Sequence, residues 1–289
     1  MEINTGAPSV IFEMMRSFVV LAKTLNISQT AESLNLTRQT VKRHISNLEE
    51  IKGNELFELK NRQYILTEYG HAELNSAETL LVRLNDWLNN DHRTIAGLQV
   101  THHKNKASEF WAQRYPVIEL LNLAPPLIKR GFQAWGESSC QIEHPKLKKI
   151  RPYLIVYRRI EGEWICVEIG EKSSYSSWRG LPWAQSAIGV SFQRDPINTP
   201  ADDYILQAYS SVRKTGCAWY DHISTKTPRN ENGKALPLNY QRLIVALTFP
   251  DGELAIGSLV ARTNKVKIDG LPSTKFSAVS KKDLMEFDV

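Results

Sequence analysis

Cations and short hydrogen-bonding side chains share residues 37–43, which read TRQTVKR. Arg38, Lys42 and Arg43 are positively charged, and the first acid after them is Glu49. DNA presents phosphates, which attract cations, and base edges, which suit forked donors and acceptors such as Arg and Gln. The stretch is therefore suited to contact with DNA. A basic helix face that is merely solvated is the alternative.

The charge of the surrounding region does not favour DNA by itself. Residues 1–92 contain nine Lys and Arg against twelve Asp and Glu, whereas the rest of the 289-residue chain contains 27 against 19. The formal net charge of +5 is only a mild bias toward polyanions. Contact with DNA would depend on the local field of residues 37–43. The basic run HPKLKKIRP at residues 144–152 is either a solvated linker, which we favour, or an additional contact to DNA or to an anionic ligand.

Three short helices are predicted around the basic stretch. Apolar residues recur at helical spacing from Ile11 to Leu25, and Ser28 has the right chemistry to cap a second helix. Thr37 is placed to cap a third helix, whose buried face contains Val41, Ile45 and Leu48. This pattern indicates a helix-turn-helix, whose last helix can enter the major groove.

A hairpin and a long helix are predicted next. Residues 55–67 read ELFELKNRQYILT, two strands around a polar turn, which is a wing. Thr67 begins a helix that runs to about Asn90 and carries an apolar stripe. The stripe either covers the local core or, as we expect because it extends past that core, pairs two subunits. The candidate dimerisation residues are Leu80, Leu81, Leu84, Trp87 and Leu88.

Residues 28–70, within a match that covers roughly residues 11–90, resemble the N-terminal domain of LysR-type transcriptional regulators. The residues in register are Ala31, Leu34, Ile45, Leu48, Glu49, Gly53, Leu56, Phe57, Leu66, Thr67 and Gly70. The resemblance implies that the third helix reads double-stranded DNA, that the wing contacts its backbone, and that the long helix forms a homodimer, or a homotetramer of such dimers. The candidate DNA-binding residues are Ser28, Gln29, Thr37, Arg38, Gln39, Thr40, Lys42, Arg43, His44 and Arg62.

Two positions depart from the family pattern. The run Thr37, Arg38, Gln39, Thr40 stands where Ser-Gln-Pro-Ala is usual, and Leu59 stands where the wing commonly has Arg. The usual residue pattern of the family therefore does not predict which DNA sequence this protein would bind.

The C-terminal half reads as a mixture of strands and helices. A connector helix is predicted from Ala107 to about Leu123, interrupted by Pro116. Two strands, short helical pieces, a helix over residues 202–214 and three further strands follow, which indicates an α+β fold. The predicted limits are 1–66 for the winged helix-turn-helix, 67–92 for the linker helix, 93–126 for the connector, 127–270 for the C-terminal domain and 271–289 for a tail.

Residues 127–266 resemble a divergent PAS-type sensor domain, most clearly over YQRLIVALTFPDGELAIGSLV at residues 240–260. The resemblance implies an antiparallel sheet flanked by helices around a pocket for a small-molecule ligand. A module that only mediates oligomerisation is the alternative. The candidate pocket residues are Trp164, Trp178, Trp183, Tyr204, Tyr209, Trp219, Tyr220 and His222. The other interpretation of the aromatic residues is that they fill the core.

Signals for catalysis and cofactors are few. Asp221, His222 and Ser224 would suit hydrolysis, but no nucleophile elbow, phosphate loop or dinucleotide fingerprint accompanies them, so an enzyme is not expected. His222 would also suit haem, but a histidine beside an aspartate on a strand is more often a hydrogen-bonded structural pair, and the sequence identifies no cofactor. Three widely spaced cysteines indicate neither a disulfide framework nor a metal site. The apolar run of residues 18–22 is too short for a membrane span, so we expect a cytoplasmic protein.

Overall fold

The chain forms two compact units, Met1–Asn89 and Asn90–Val289. The computed structural model describes residues 10–60, 63–88, 92–95, 98–104, 109–192, 202–230, 233–285 and 287. Each unit has its own hydrophobic core. The predicted domain limits remain predictions.

The N-terminal unit begins with three helices. They are α1 (Ile11–Thr24), α2 (Ile27–Leu34) and α3 (Arg38–Lys52). Asn26 caps α2, because its side chain accepts hydrogen bonds from the backbone nitrogens of Ser28 and Gln29 at 2.9 and 3.2 Å. The predicted cap at Ser28 is therefore wrong by two residues. The predicted cap of α3 is confirmed: Thr37 Oγ1 accepts a hydrogen bond from Thr40 N at 3.1 Å.

The predicted wing and long helix follow. Strands β1 (Phe57–Lys60) and β2 (Gln63–Leu66) pair antiparallel, and α4 spans Glu68–Leu88. Gly70 lets α4 lie against the start of the wing, since a Cβ on this residue would stand 2.2 Å from Leu56 O. The core between these elements contains Met14, Phe18, Leu21, Ile45, Leu48, Leu56 and Phe57.

The C-terminal unit is built on one eight-stranded antiparallel sheet, which confirms the predicted α+β class. Its strands are β3 (His92–Ile95), β4 (Leu98–Lys104), β5 (Glu109–Tyr115), β6 (Leu154–Ile160), β7 (Glu163–Ile169), β8 (Trp219–Thr227), β9 (Leu236–Thr248) and β10 (Leu254–Arg262). Their order in the sheet is β3-β4-β5-β8-β9-β10-β6-β7. The sheet therefore places β6, the first strand of the predicted domain, beside β10, its last strand.

The predicted connector helix is wrong. Where a helix was expected from Ala107, Glu109–Tyr115 forms β5 and pairs with β8. Pro116 then starts a 3-10 turn at Val117–Glu119, and α5 covers only Leu120–Leu123. Pairing with a strand more than one hundred residues later decides the outcome, and no local pattern encodes it.

Helices cover both faces of the sheet. They are α6 (Pro126–Glu137), α7 (Ser174–Arg179), α8 (Leu181–Ser186) and α9 (Asp202–Thr215). Leu127 and Ile128 of α6 belong to one core cluster, and Tyr204 and Tyr209 of α9 belong to the other. The chain after β10 also packs on this unit, with Val279 buried and Arg262 Nε donating to Asp283 O at 2.6 Å.

Candidate nucleic-acid interface

The outward face of α3 carries the predicted cations. Arg38, Gln39, Lys42 and Arg43 are exposed, because the opposite face of the helix, around Ile45, packs into the core. Within the described residues, none of the three cations forms an ion pair. Charged side chains without a partner in the protein remain available to an external anion.

The short polar residues in and near α3 differ in how exposed they are and in how far their hydrogen-bonding groups are occupied. Thr37 and Thr40 hydroxyls lie 2.9 Å apart and close the first turn, so part of their hydrogen-bonding capacity is used within the helix. In α2, Gln29 is exposed and Ser28 is half-buried. Arg62 of the wing lies outside the described residues.

The structure corrects the prediction for His44. Its side chain is buried, with 6% of its surface exposed, and Nδ1 lies 2.8 Å from Ser17 Oγ of α1. Burial lowers the pKa of His44 below its ordinary value, and Arg43 lowers it further. His44 therefore faces the core and not the outward surface. Its spacing from Val41 and Leu48 could have indicated this.

Glu49 explains why an acid follows the basic stretch. Its Oε1 accepts hydrogen bonds from Leu56 N at 2.8 Å and Phe57 N at 3.1 Å, which ties the end of α3 to the start of the wing. No sequence signal predicts this capping role. An exposed ion pair of 2.6 Å between Lys52 and Glu73 joins α3 to α4.

The apolar stripe of α4 is only partly covered. Leu80 and Leu88 are 54% and 57% exposed, whereas Leu81 packs against the N-terminal core and Leu84 is half-buried. The side chain of Trp87 lies outside the described residues.

The aromatic pocket candidates do not line one cavity. Trp164, Tyr204, Tyr209 and Trp219 belong to the core on the α9 face, whereas Tyr220 belongs to the α6 face. Their burial fits the alternative that they fill the core. Trp178 lies under the guanidinium groups of Arg229 and Arg262 at 4.3 and 5.7 Å, and Trp183 Nε1 donates to Tyr175 Oη at 3.0 Å.

A surface cleft of about 730 Å³ lies elsewhere on the C-terminal unit. None of the predicted pocket residues lines it. Its polar lining includes Glu143, His144, Lys148, Arg151, Glu168 and Gln185. Within this lining, Arg151 donates two hydrogen bonds, of 2.8 and 2.9 Å, to the carboxylate of Glu168.

Asp221 is committed to a buried ion pair on the α9 face. Arg242 donates to its two oxygens from Nε at 3.1 Å and Nη2 at 2.6 Å, and both side chains are at most 3% exposed. Trp219 Nε1 and Tyr204 Oη also donate to Oδ2, at 2.7 and 3.1 Å. Burial alone would lower the pKa of Arg242, but the attraction of Asp221 outweighs burial and raises it. Both oxygens of the Asp221 carboxylate therefore accept hydrogen bonds from neighbouring side chains.

His222 lies on the opposite face of β8, because neighbouring strand residues point to opposite sides. Its Nδ1 accepts a hydrogen bond from Lys267 N at 2.9 Å. Tyr220 Oη lies 2.8 Å from Nε2 and donates to Gln241 Oε1, so the neutral ring donates from Nε2. Burial lowers the pKa of His222 to about 4. Asp221 and His222 therefore form no catalytic pair.

Other cofactor signals are equally few in the described part of the chain. No group of three or more His, Cys, Asp or Glu residues among the described residues is arranged to hold a metal ion. None of the described helices combines the length and the apolar character that a membrane crossing needs.

The site on α3 lies inside a segment that known proteins share. Residues 12–71, from α1 to the first turn of α4, match the family model described as bacterial regulatory helix-turn-helix protein, lysR family. The N-terminal unit contains a LysR-type helix-turn-helix domain. Among the similar proteins are the HTH-type transcriptional regulator CitR of Bacillus subtilis (strain 168), 39% identical over 90 residues, and the HTH-type transcriptional activator IlvY of Haemophilus influenzae, 38% identical over 68 residues.

These relatives are transcriptional regulators and not enzymes, and the match to them is partial. It covers 31% of this chain and 31% of CitR, and 24% of this chain and 23% of IlvY, so the chain spans less than a third of either relative. A solved BenM_DBD/catB site 1 DNA complex is 26% identical, covering 27% of this chain and 89% of that chain with a TM-score of 0.27. At that TM-score the likeness adds nothing to the sequence match.

Proposed function

We propose that the protein is a sequence-specific transcriptional regulator that binds double-stranded DNA in the cytoplasm. The observation that carries the proposal is the outward face of α3, where Arg38, Lys42 and Arg43 are exposed and have no ion pair within the described residues. This face lies inside the lysR-type segment of residues 12–71. Arg38 and Gln39, in the first turn, are the side chains best placed for base edges, Lys42 suits phosphates, and Arg43 suits a phosphate or a further base edge.

The regulator acts as a homodimer through α4 in this proposal. Leu80 and Leu88, one exposed by 54% and the other by 57%, support it, because an apolar stripe of this kind gains most from burial against a second copy. A dimer presents two α3 helices to half-sites about one helical turn of DNA apart. A tetramer would join two such dimers.

The C-terminal unit is a PAS-like domain in this proposal, and it either senses a ligand or mediates assembly. Its chain order of hairpin, helices and three strands, with β6 beside β10, supports the PAS-like assignment. The cleft of about 730 Å³ favours sensing, whereas the burial of the aromatic candidates favours assembly alone. A ligand that binds two conformations unequally would shift the spacing of the two α3 helices.

Selection from a random duplex pool tests DNA recognition. The full chain should enrich a motif with two-fold symmetry, because two copies of α3 would read it in opposite orientations. The same selection with Arg38, Lys42 and Arg43 all changed to Ala should enrich nothing. Equal enrichment by both proteins would place the DNA contact elsewhere.

Two further experiments separate the finer claims. Leu80→Glu combined with Leu88→Glu should give a monomer in sedimentation experiments, whereas Ile118→Glu, at a residue of the C-terminal unit that is 67% exposed, should not.

Native mass spectrometry of the purified chain distinguishes a C-terminal unit that senses a ligand from one that only mediates assembly. A bound small molecule supports a sensor, and its absence, with no heat on titration with candidate metabolites, supports an assembly module.

A further inference from the structure

His44 occupies a core position on the helix that carries the DNA-facing cations. It lies three residues after Val41 and four before Leu48, the spacing that places side chains on one face of a helix. Only 6% of its surface is exposed, and its partner Ser17 on α1 is fully buried. The other buried residues of α1 and α3 are all apolar, so this pair is the exception among them.

The contact between Ser17 and His44 is directional. Ser17 Oγ and His44 Nδ1 lie 2.8 Å apart, although the two residues are 27 positions apart in sequence. Apolar packing, such as that of Phe18 and Ile45 in the same core, is roughly proportional to area and does not fix an angle. A hydrogen bond weakens steeply when its angle changes. The pair therefore restrains rotation of α3 about its own axis.

Rotation of α3 matters because of the residue beside His44. Arg43 immediately precedes His44 and is exposed, so the angle that seats His44 in the core also sets the direction in which Arg43 leaves the helix. Contacts to base edges require correct placement of the donor atoms. Contacts to phosphates tolerate more movement because they are largely electrostatic.

We propose that His44 and Ser17 are positioning residues for DNA recognition, which hold α3 at the rotation needed to read bases and do not touch DNA themselves. The inference rests on the proposed function, since it concerns how α3 meets DNA. It assigns His44 a different role from that of its exposed neighbours.

Substitutions test the pair in the full chain, with the motif enriched by the selection above and a scrambled duplex of equal length. The measured quantity is the specificity ratio, the Kd for the scrambled duplex divided by the Kd for the motif. Ser17→Ala and His44→Leu should each lower the ratio about tenfold, through loss of one buried hydrogen bond. The double variant should lose no more than either single variant. His44→Asn places an amide near the position of Nδ1 and should restore most of the ratio.

Two controls separate positioning from stability and from direct contact. Ile45→Val removes one methylene from the same interface, so it should lower Tm but leave the specificity ratio unchanged. Binding to the scrambled duplex and its salt dependence should stay unchanged in Ser17→Ala and His44→Leu, because no phosphate contact is lost. An unchanged specificity ratio in folded Ser17→Ala would overturn the proposal, as would an equal loss in Ile45→Val.

The outcomes distinguish this inference from the proposed function. If the unaltered chain enriches no motif, the proposed function fails and this inference fails with it. If the unaltered chain is specific but folded Ser17→Ala keeps the same specificity ratio, only the positioning role is refuted.

Discussion

Arg38 and Arg242 are the same residue type in opposite surroundings. Arg38 is exposed on α3 and has no ion pair within the described residues, whereas Arg242 is 3% exposed and donates two hydrogen bonds to Asp221. A buried charge needs its partner for the fold, because leaving it unpaired is costly. An exposed charge without a partner contributes little to the fold and is free for a ligand. The contrast separates the groups that we propose to contact DNA from the groups that hold the fold together.

The largest expected effect is on stability of the C-terminal unit. Arg242→Ala leaves the Asp221 carboxylate buried without its cation, and we expect a loss of about 3–5 kcal/mol in the free energy of unfolding. Urea denaturation of the full chain measures it. Arg213→Ala, on the exposed side of α9, is the matched control and should stay within about 0.5 kcal/mol. Comparable losses in both variants would break the contrast.

The next effect concerns pH. Burial lowers the pKa of His222 to about 4, and the nearby charge of Asp221 only partly opposes this. The unfolded chain therefore binds a proton at higher pH than the folded chain. The stability that neutral His222 contributes is fully present above about pH 6.5 and is lost as pH falls from there toward 4.

Urea midpoints measured across this range check the prediction for His222. His222→Gln should have a lower urea midpoint than the unaltered chain at neutral pH. Its urea midpoint should also fall less steeply as the pH is lowered. Arg213→Ala, at an exposed position of α9, is again the control and should show the same change of urea midpoint with pH as the unaltered chain. If the urea midpoint of His222→Gln changed with pH as it does in the unaltered chain, His222 would not contribute to stability in the way proposed.

A smaller effect is expected for base recognition. Arg38→Ala should cost roughly 1–3 kcal/mol of binding free energy and relax specificity at one base pair, since a forked donor to a base edge is lost. Mobility-shift competition with singly substituted motifs measures this. A loss spread evenly over all positions would assign Arg38 to phosphate and not to a base.

The smallest effect is expected for Lys42. Lys42→Ala should weaken binding to every duplex alike and reduce the slope of log K against log salt by about one. A salt series with both the motif and a scrambled duplex provides the measurement. Neither Lys42→Ala nor Arg38→Ala should change the urea midpoint, in contrast to Arg242→Ala.

Local chemistry made the N-terminal unit largely predictable. Thr37 has the side chain of a helix cap, and the spacing of Val41, Ile45 and Leu48 predicts the buried face of α3. The same spacing includes His44, so the sequence itself indicates that this residue is buried. Its partner Ser17, 27 residues away, was not accessible, because nothing local links the two positions.

Long-range pairing made the C-terminal unit harder to predict. Residues 109–115 form an inner strand because β8 and β4 flank them, and β8 lies more than one hundred residues later in the chain. The aromatic pocket candidates do not line one cavity, and the reason is related. Trp219 and Tyr220 are adjacent on β8 and must point to opposite faces, a consequence of strand geometry that becomes usable once the strand is known.

The most direct test of the account is photo-crosslinking from α3 to DNA. A p-benzoylphenylalanine in place of Gln39, in the exposed first turn, should crosslink to the enriched motif, whereas one in place of Arg213 should not. The account predicts crosslinks at position 39 that map to bases within the motif. Specific binding that persists without any crosslink from position 39 would contradict the central claim that this face of α3 meets DNA.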